Sequence, residues 1–334
     1  MKRPFPLAVA ALILLGTVVV AALAGCARDE TIVLRGASQF DEKHVFTRTL
    51  RKFEQLVPLY YGKPVRFELY LNSELGLEKD YFVLLSQGVA LDYALVSPSH
   101  MATFAPAAPL MDMPFLFRDR AHWRSVLATD AFQPIVDEVL AKADVRLLGY
   151  AGGGERNLIV KRRVTNPTEL TGLNIRVMGA PIQTRIFEAL RTKPTIIAYD
   201  EIYSAIQTGV IDAAENEAAG IKQMKFYEVG PEISLTQHAI TVRPLVFSEK
   251  TLRRLPADLQ AAIHRAGREA GAFGREQEAA EDAATLRQME KDGKLRTHPF
   301  AGRDELLKRV ESVKRNYAAE IGATAVLSRI DALP

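Results

Sequence analysis

From Thr31 onward, short stretches that alternate apolar and polar residues are interleaved with longer stretches whose apolar residues recur every three or four positions. The first period belongs to strands and the second to amphipathic helices, so their interleaving predicts α/β domains with mostly parallel sheets. Ile32 and Leu34 open a strand, and Phe46, Leu50, Phe53 and Val57 line one face of a helix. Val65, Phe67, Leu69 and Leu71 alternate as a second strand, a helix passes through Tyr81–Leu85, and Tyr93–Val96 forms a third strand. This is a βαβαβ unit. Residues 101–118, rich in Pro, Met and Phe, predict an irregular but buried connection, followed by a helix near 132–141 and a strand at 145–148.

Gly152-Gly153-Gly154 then lies between two strands and reads as a crossing between domains, since glycine reverses backbone direction at low steric cost. A second α/β set runs through residues 158–160, 175–177, 182–190, 195–197 and 210–213. After Pro256 the longest helical pattern extends from about Ala257 to Lys291, as one helix bracing both domains or as two broken near Gly271 and Gly274. A final helix is expected from Asp304 to about Gly322.

The first residues carry a different message. Lys2 and Arg3 precede an apolar run from Leu7 to Leu23, and Leu23-Ala24-Gly25-Cys26 resembles the bacterial lipobox, whose cysteine is lipidated and becomes the new N-terminus. A retained single-span anchor is the alternative. Loss of residues 1–25 removes Lys2 and Arg3 and no acid, so the formal charge falls from +3 to +1. Cys26 is the only cysteine, so the exported part forms no internal disulfide and depends on its core. Basic and acidic residues are intermixed without a basic block, which argues against nucleic acid as a partner.

Catalytic signatures are missing. The six histidines fall in no close pair of metal-ligand spacing, the triple glycine lacks the spacing of a dinucleotide or phosphate loop, and there is no G-x-S-x-G elbow. The chain is therefore expected to be no enzyme and to hold neither cofactor nor metal.

Three segments of the second half place charged or amide groups at strand ends, where open α/β sheets bind ligands. They are Gly153–Leu158, Pro167–Pro181 and Tyr199–Asn216. In Leu173–Val177, Ile175 and Val177 share one side of a strand while Arg176 faces the other. An arginine held in an apolar strand needs an anion, either Asp212 or Glu215 of the chain itself or a bound ligand.

These segments, together with Asp92–Ser97, Met113–Phe117 and Lys225–Val229, make the chain resemble the DctP-type solute-binding proteins of tripartite ATP-independent periplasmic (TRAP) transporters, from about Ile32 to about Gly322. The resemblance implies a type II periplasmic-binding-protein fold, two α/β domains joined by hinge strands near residues 150 and 240. On that reading residues 1–25 are the signal, 26–152 plus about 242–280 the first domain, and 153–241 plus about 281–334 the second. It implies a small organic acid as ligand, small and large integral membrane subunits as partners, and attachment to the membrane through the N-terminal lipid in the periplasm. A lipoprotein that uses the same trap to report to a receptor is the alternative.

The arginine of the Gly-x-x-Ile-Arg strand matches Arg176, which would clamp the ligand carboxylate in a bidentate pair. Arg156 and Asn216 match a second arginine and an amide; Asp212 and Glu215 would be structural. Ala213 and Asn174 depart from the usual glycine and lysine, and Glu155 from an aromatic or small residue. Gln39, Asn72 and Ser97, each after a strand of the first half, are the polar contacts expected from that side, with Phe40, Phe115 and Tyr199 as possible aromatic walls. Polar loops suit hydroxyls, so a hexuronate or other sugar acid is preferred over dicarboxylates and keto acids.

Overall fold

The structure is a computed structural model that describes residues 31–334. The segment expected to act as a signal, residues 1–25, and Cys26 lie outside the described residues. Among the described residues nine strands form one sheet: β1 (Val33–Ala37), β2 (Arg66–Tyr70), β3 (Tyr93–Leu95), β4 (Val145–Val160), β5 (Asn174–Val177), β6 (Lys193–Ile196), β7 (Ala213–Asn216), β8 (Glu232–Ser248) and β9 (Arg296–Pro299). Their order is β2-β1-β3-β8-β4-β7-β5-β6, with β9 alongside β8.

The order repeats itself. β1 pairs in parallel with β2 on one side and β3 on the other, and β5 does the same with β6 and β7. Each half therefore reverses its strand order at the middle strand, and the crevice beyond the carboxyl ends is where such sheets place ligands. Between the halves run β4 and β8, of 16 and 17 residues, paired antiparallel.

The triple glycine does not separate two strands as the sequence suggested; it lies inside β4. The ladder with β8 shifts register between Gly152 and Glu155, a bulge that keeps the strand continuous. Gly152 and Gly153 take φ of 111° and 116°, and a Cβ at Gly152 would collide with the Thr241 carbonyl. Thr241 Oγ1 accepts the N–H groups of both Gly153 and Gly154 at 2.9 Å, so side-chain bonds replace the ladder bonds lost at the bulge.

Of the two readings of the long helix, the unbroken one holds: it spans Ala257–Lys291, about 50 Å at 1.5 Å per residue. Its glycines are there for packing. A Cβ on Gly271 would stand 2.6 Å from Tyr150 N, and one on Gly274 2.8 Å from Ala151 Cβ, so small residues let the helix lie directly on β4. The stretch 101–118 is irregular and buried as expected, with a short 3-10 turn at Ala108–Asp112. The predicted last helix occupies Arg303–Glu320, and a further one, Thr324–Ala332, buries Val326, Leu327 and Ile330. Among the described residues no helix is long and apolar enough to cross a membrane.

Candidate functional site

The carboxyl ends of β1, β3, β5 and β6 converge on a cavity of about 200 Å³, whose walls include Gln39, Lys79, His100, Arg176, Ile197 and Tyr199. A larger cavity of about 320 Å³ lies against the long helix, but Glu278 and Asp282 line it and Arg176 does not. Its cations Lys43, Arg48 and Lys222 face Asp41, Glu278, Glu281 and Asp282, so its wall carries no net positive charge to draw an anion.

Arg176 is 2% exposed, yet its one hydrogen bond among the described residues runs from Nε to the Ile197 carbonyl at 3.0 Å. The guanidinium carbon sits 5.8 Å from the Tyr199 ring centroid. Burial draws its pKa down to about 10; Glu215 offsets this only in part, and Arg156 and Arg243 push the same way as burial. Neither internal partner considered from sequence takes it. Asp212 accepts the backbone N–H and side-chain amide of Asn174 at 3.0 and 3.1 Å. Glu215 belongs to Arg156.

Arg156 is the opposite case. Its Nε and Nη2 grip the Glu215 carboxylate, Nη2 reaches the Glu215 carbonyl at 3.0 Å, and Nη1 holds Glu217 at 2.6 Å. His238 flanks the same carboxylate at 3.3 Å. Burial alone would lower the Arg156 pKa, but Glu215 and Glu217 outweigh it and raise it. Glu155, next to Arg156 in the chain, pairs with Arg120 at 3.1 Å and Gln237 at 2.6 Å.

Asn216, at the end of β7, donates from Nδ2 to the Tyr199 hydroxyl at 2.8 Å and accepts the Glu217 N–H at 3.0 Å. Gly220 makes this possible, since a Cβ there would lie 2.8 Å from the same hydroxyl. Tyr199 packs edge-on against Phe40 at 6.0 Å, so one aromatic wall joins both halves. Phe115 packs in the core.

The residues expected from the first half are dispersed. Gln39 lines the cavity. Ser97 is buried, with its hydroxyl donating to Asp112 Oδ2 at 2.6 Å and its N–H to Glu78 Oε2 at 2.6 Å. Asn72 is exposed in the turn after β2, at φ 51°, and does not line the cavity.

Four residues near the cavity escaped the sequence reading: Glu78, Lys79, His100 and Arg243. Burial, with Arg243 and Arg176 nearby, lowers His100 to about 3 and keeps it neutral. For Arg243 a signal existed, since Val242-Arg243-Pro244-Leu245 is another arginine set in an apolar strand. Lys79 and His100 carry no periodic mark; only the topology brings them here.

The family model for bacterial extracellular solute-binding proteins, family 7 (DctP), matches residues 37–319. A solute-binding protein of Sulfitobacter sp. NAS-14.1 is 54% identical over 317 residues, covering 95% of this chain and 96% of its own. The crystal structure of a TRAP periplasmic solute-binding protein from Sulfitobacter sp. NAS-14.1, with bound α-D-taluronate, matches with a TM-score of 0.88 and 56% identity over 90% of this chain and 97% of that one. One from Bradyrhizobium sp. BTAi1, with α/β-D-galacturonate, matches at 0.83 and 25% identity over 89% and 98%.

Proposed function

Because the chain belongs to the DctP family of bacterial extracellular solute-binding proteins and has their type II periplasmic-binding α/β fold, we propose that it captures a hexuronate for a TRAP transporter. The observation that carries this is Arg176, a guanidinium buried at the cavity wall with no carboxylate paired to it among the described residues. A buried cation without an anion is costly, and a ligand carboxylate removes that cost while gaining two parallel hydrogen bonds.

In this reading Arg176 clamps the carboxylate against the face of Tyr199, and Asn216 fixes Tyr199. Gln39 offers its amide from the other half. Arg156 acts mainly through Glu215 and Glu217, with one Nη1 proton left for the ligand. Ligand arrival would draw the halves together about β4 and β8 near residues 150 and 240, excluding water and strengthening the ion pair. Cys26 would carry the lipid, and the closed form would meet the small and large membrane subunits. A sugar acid is favoured over a dicarboxylate because the relatives named above hold taluronate and galacturonate.

The test is isothermal titration of the purified protein with D-taluronate, D-galacturonate and D-glucuronate, beside C4 dicarboxylates and short keto acids. Saturable heat with a hexuronate, lost in Arg176→Ala, supports the reading. Binding that survives Arg176→Ala, or that occurs only with dicarboxylates, rejects it.

A further inference from the structure

Arg243 and Glu78 are the second pair of opposite charges buried beside the cavity, and nothing in the proposed carboxylate clamp uses them. Arg243 projects from β8 and is 7% exposed; Glu78 opens the helix Glu78–Gln87 and is 2% exposed. Nη1 of Arg243 donates to Glu78 Oε2 at 3.1 Å, and the same oxygen accepts the Ser97 N–H. The guanidinium lies over the Phe46 ring at 5.2 Å, and its Nε has no partner among the described residues. Buried donors of this kind are ordinarily satisfied by a ligand or a water.

Glu78, Ser38 and Phe46 line a void of about 10 Å³, and Gln39 lines both that void and the main cavity. Arg243 also stands close enough for its charge to act on His100, Tyr199 and Arg176, all three in the cavity wall.

We propose that the Arg243–Glu78 pair reads the hydroxyl-bearing end of the ligand and so selects a polyhydroxylated monocarboxylate over the corresponding dicarboxylate. A hydroxyl suits a net-neutral pair, because its oxygen accepts from the guanidinium while its proton goes to the carboxylate. A second carboxylate suits it badly: it has no proton to give and it faces Glu78, with Glu217 close behind. Lys79 does not reverse this balance, being exposed at the cavity edge and screened by water. The inference rests on the sugar-acid reading above.

The experiment titrates the protein, above neutral pH, with D-galacturonate and with galactarate, which has a carboxylate in place of the aldehyde carbon. Wild type is expected to prefer the uronate. Glu78→Gln keeps an acceptor for Ser97 and deletes the charge, so galactarate should tighten and the preference narrow by about tenfold. Arg243→Lys keeps the charge but loses the planar fork, so it should weaken galacturonate about tenfold and keep the preference. Circular dichroism and melting curves establish which variants fold. A folded Glu78→Gln with its preference unchanged, or a folded Arg243→Lys with unchanged galacturonate affinity, overturns the proposal. Should Arg243→Lys alone fold, its affinity decides. If wild type binds no hexuronate, or Arg176→Ala binds as wild type does, the sugar-acid reading fails and this inference falls with it.

Discussion

Arg156 and Arg176 sit on neighbouring stretches of one sheet, and both are more than nine-tenths buried, yet their surroundings differ in kind. Arg156 is enclosed by two carboxylates and has its pKa raised; Arg176 has, among the described residues, a single carbonyl and is drawn down to about 10. The chain completes one charge and leaves the other incomplete. Satisfied ion pairs hold the fold, whereas in the proposed reading the unsatisfied buried cation is held for a ligand.

The widest separation between the two should come from removing each in turn. Arg176→Ala is expected to weaken binding of the sugar acid by about 3–5 kcal/mol, the scale for stripping one partner from a buried pair. The ligand-free protein should melt at the same temperature or higher, because among the described residues the deleted charge has no ion-pair partner to lose, only the Ile197 carbonyl. Titration calorimetry and melting without ligand check both halves. Arg156→Met should do the reverse to the ligand-free protein, leaving Glu215 and Glu217 buried without a cation and lowering stability by about 3–5 kcal/mol. A ligand-free Arg156→Met as stable as wild type would erase the contrast.

The same contrast explains what the sequence could and could not disclose. The α/β alternation, the strand under Arg176 and the long helix from Ala257 to Lys291 are periodic, and periodicity survives in one dimension. Arg176 stood out because Ile175 and Val177 flank it. Which carboxylate answers which arginine is a matter of three-dimensional distance: Glu155 is next to Arg156 in the chain and goes to Arg120, while Glu215 arrives from β7. The triple glycine misled for a related reason. Glycine marks backbone freedom equally well at a break and at a bulge, and only Thr241 on β8 decides between them.

A smaller effect should separate the acids that have partners from those that do not. Burial raises Glu215, but Arg156 and His238 outweigh it and hold its pKa below the usual carboxylate value of 4.5. Its contribution to stability is therefore complete above that pH and is lost as the pH falls through the depressed value. Glu278, buried on the long helix near Glu217 and Asp282 with Oε2 unpartnered among the described residues, is pushed upward. Its contribution is complete below 4.5 and is lost as the pH rises through the raised value. Glu278→Gln should then stabilise the protein at neutral pH by about 1 kcal/mol, the scale of one unsatisfied buried polar group. That gain should vanish in acid. Urea titrations at neutral and acidic pH measure it, and an equal gain at both would show that Glu278 is not the group being titrated.

The smallest difference concerns the two polar residues at strand ends in the first half. Ser97 is enclosed by Asp112 and Glu78, whereas Asn72 points from an exposed turn. Ser97→Ala removes a bond to a buried carboxylate and should cost about 1–2 kcal/mol of stability. Asn72→Ala should leave stability within about 0.5 kcal/mol of wild type, as surface substitutions usually do. Its affinity for the sugar acid should also hold if the ligand stays within the cavity walled by Gln39, Arg176 and Tyr199. A loss of affinity at Asn72 would mean instead that the turn after β2 folds over the ligand on closure, which would extend the site beyond the incomplete charge at Arg176.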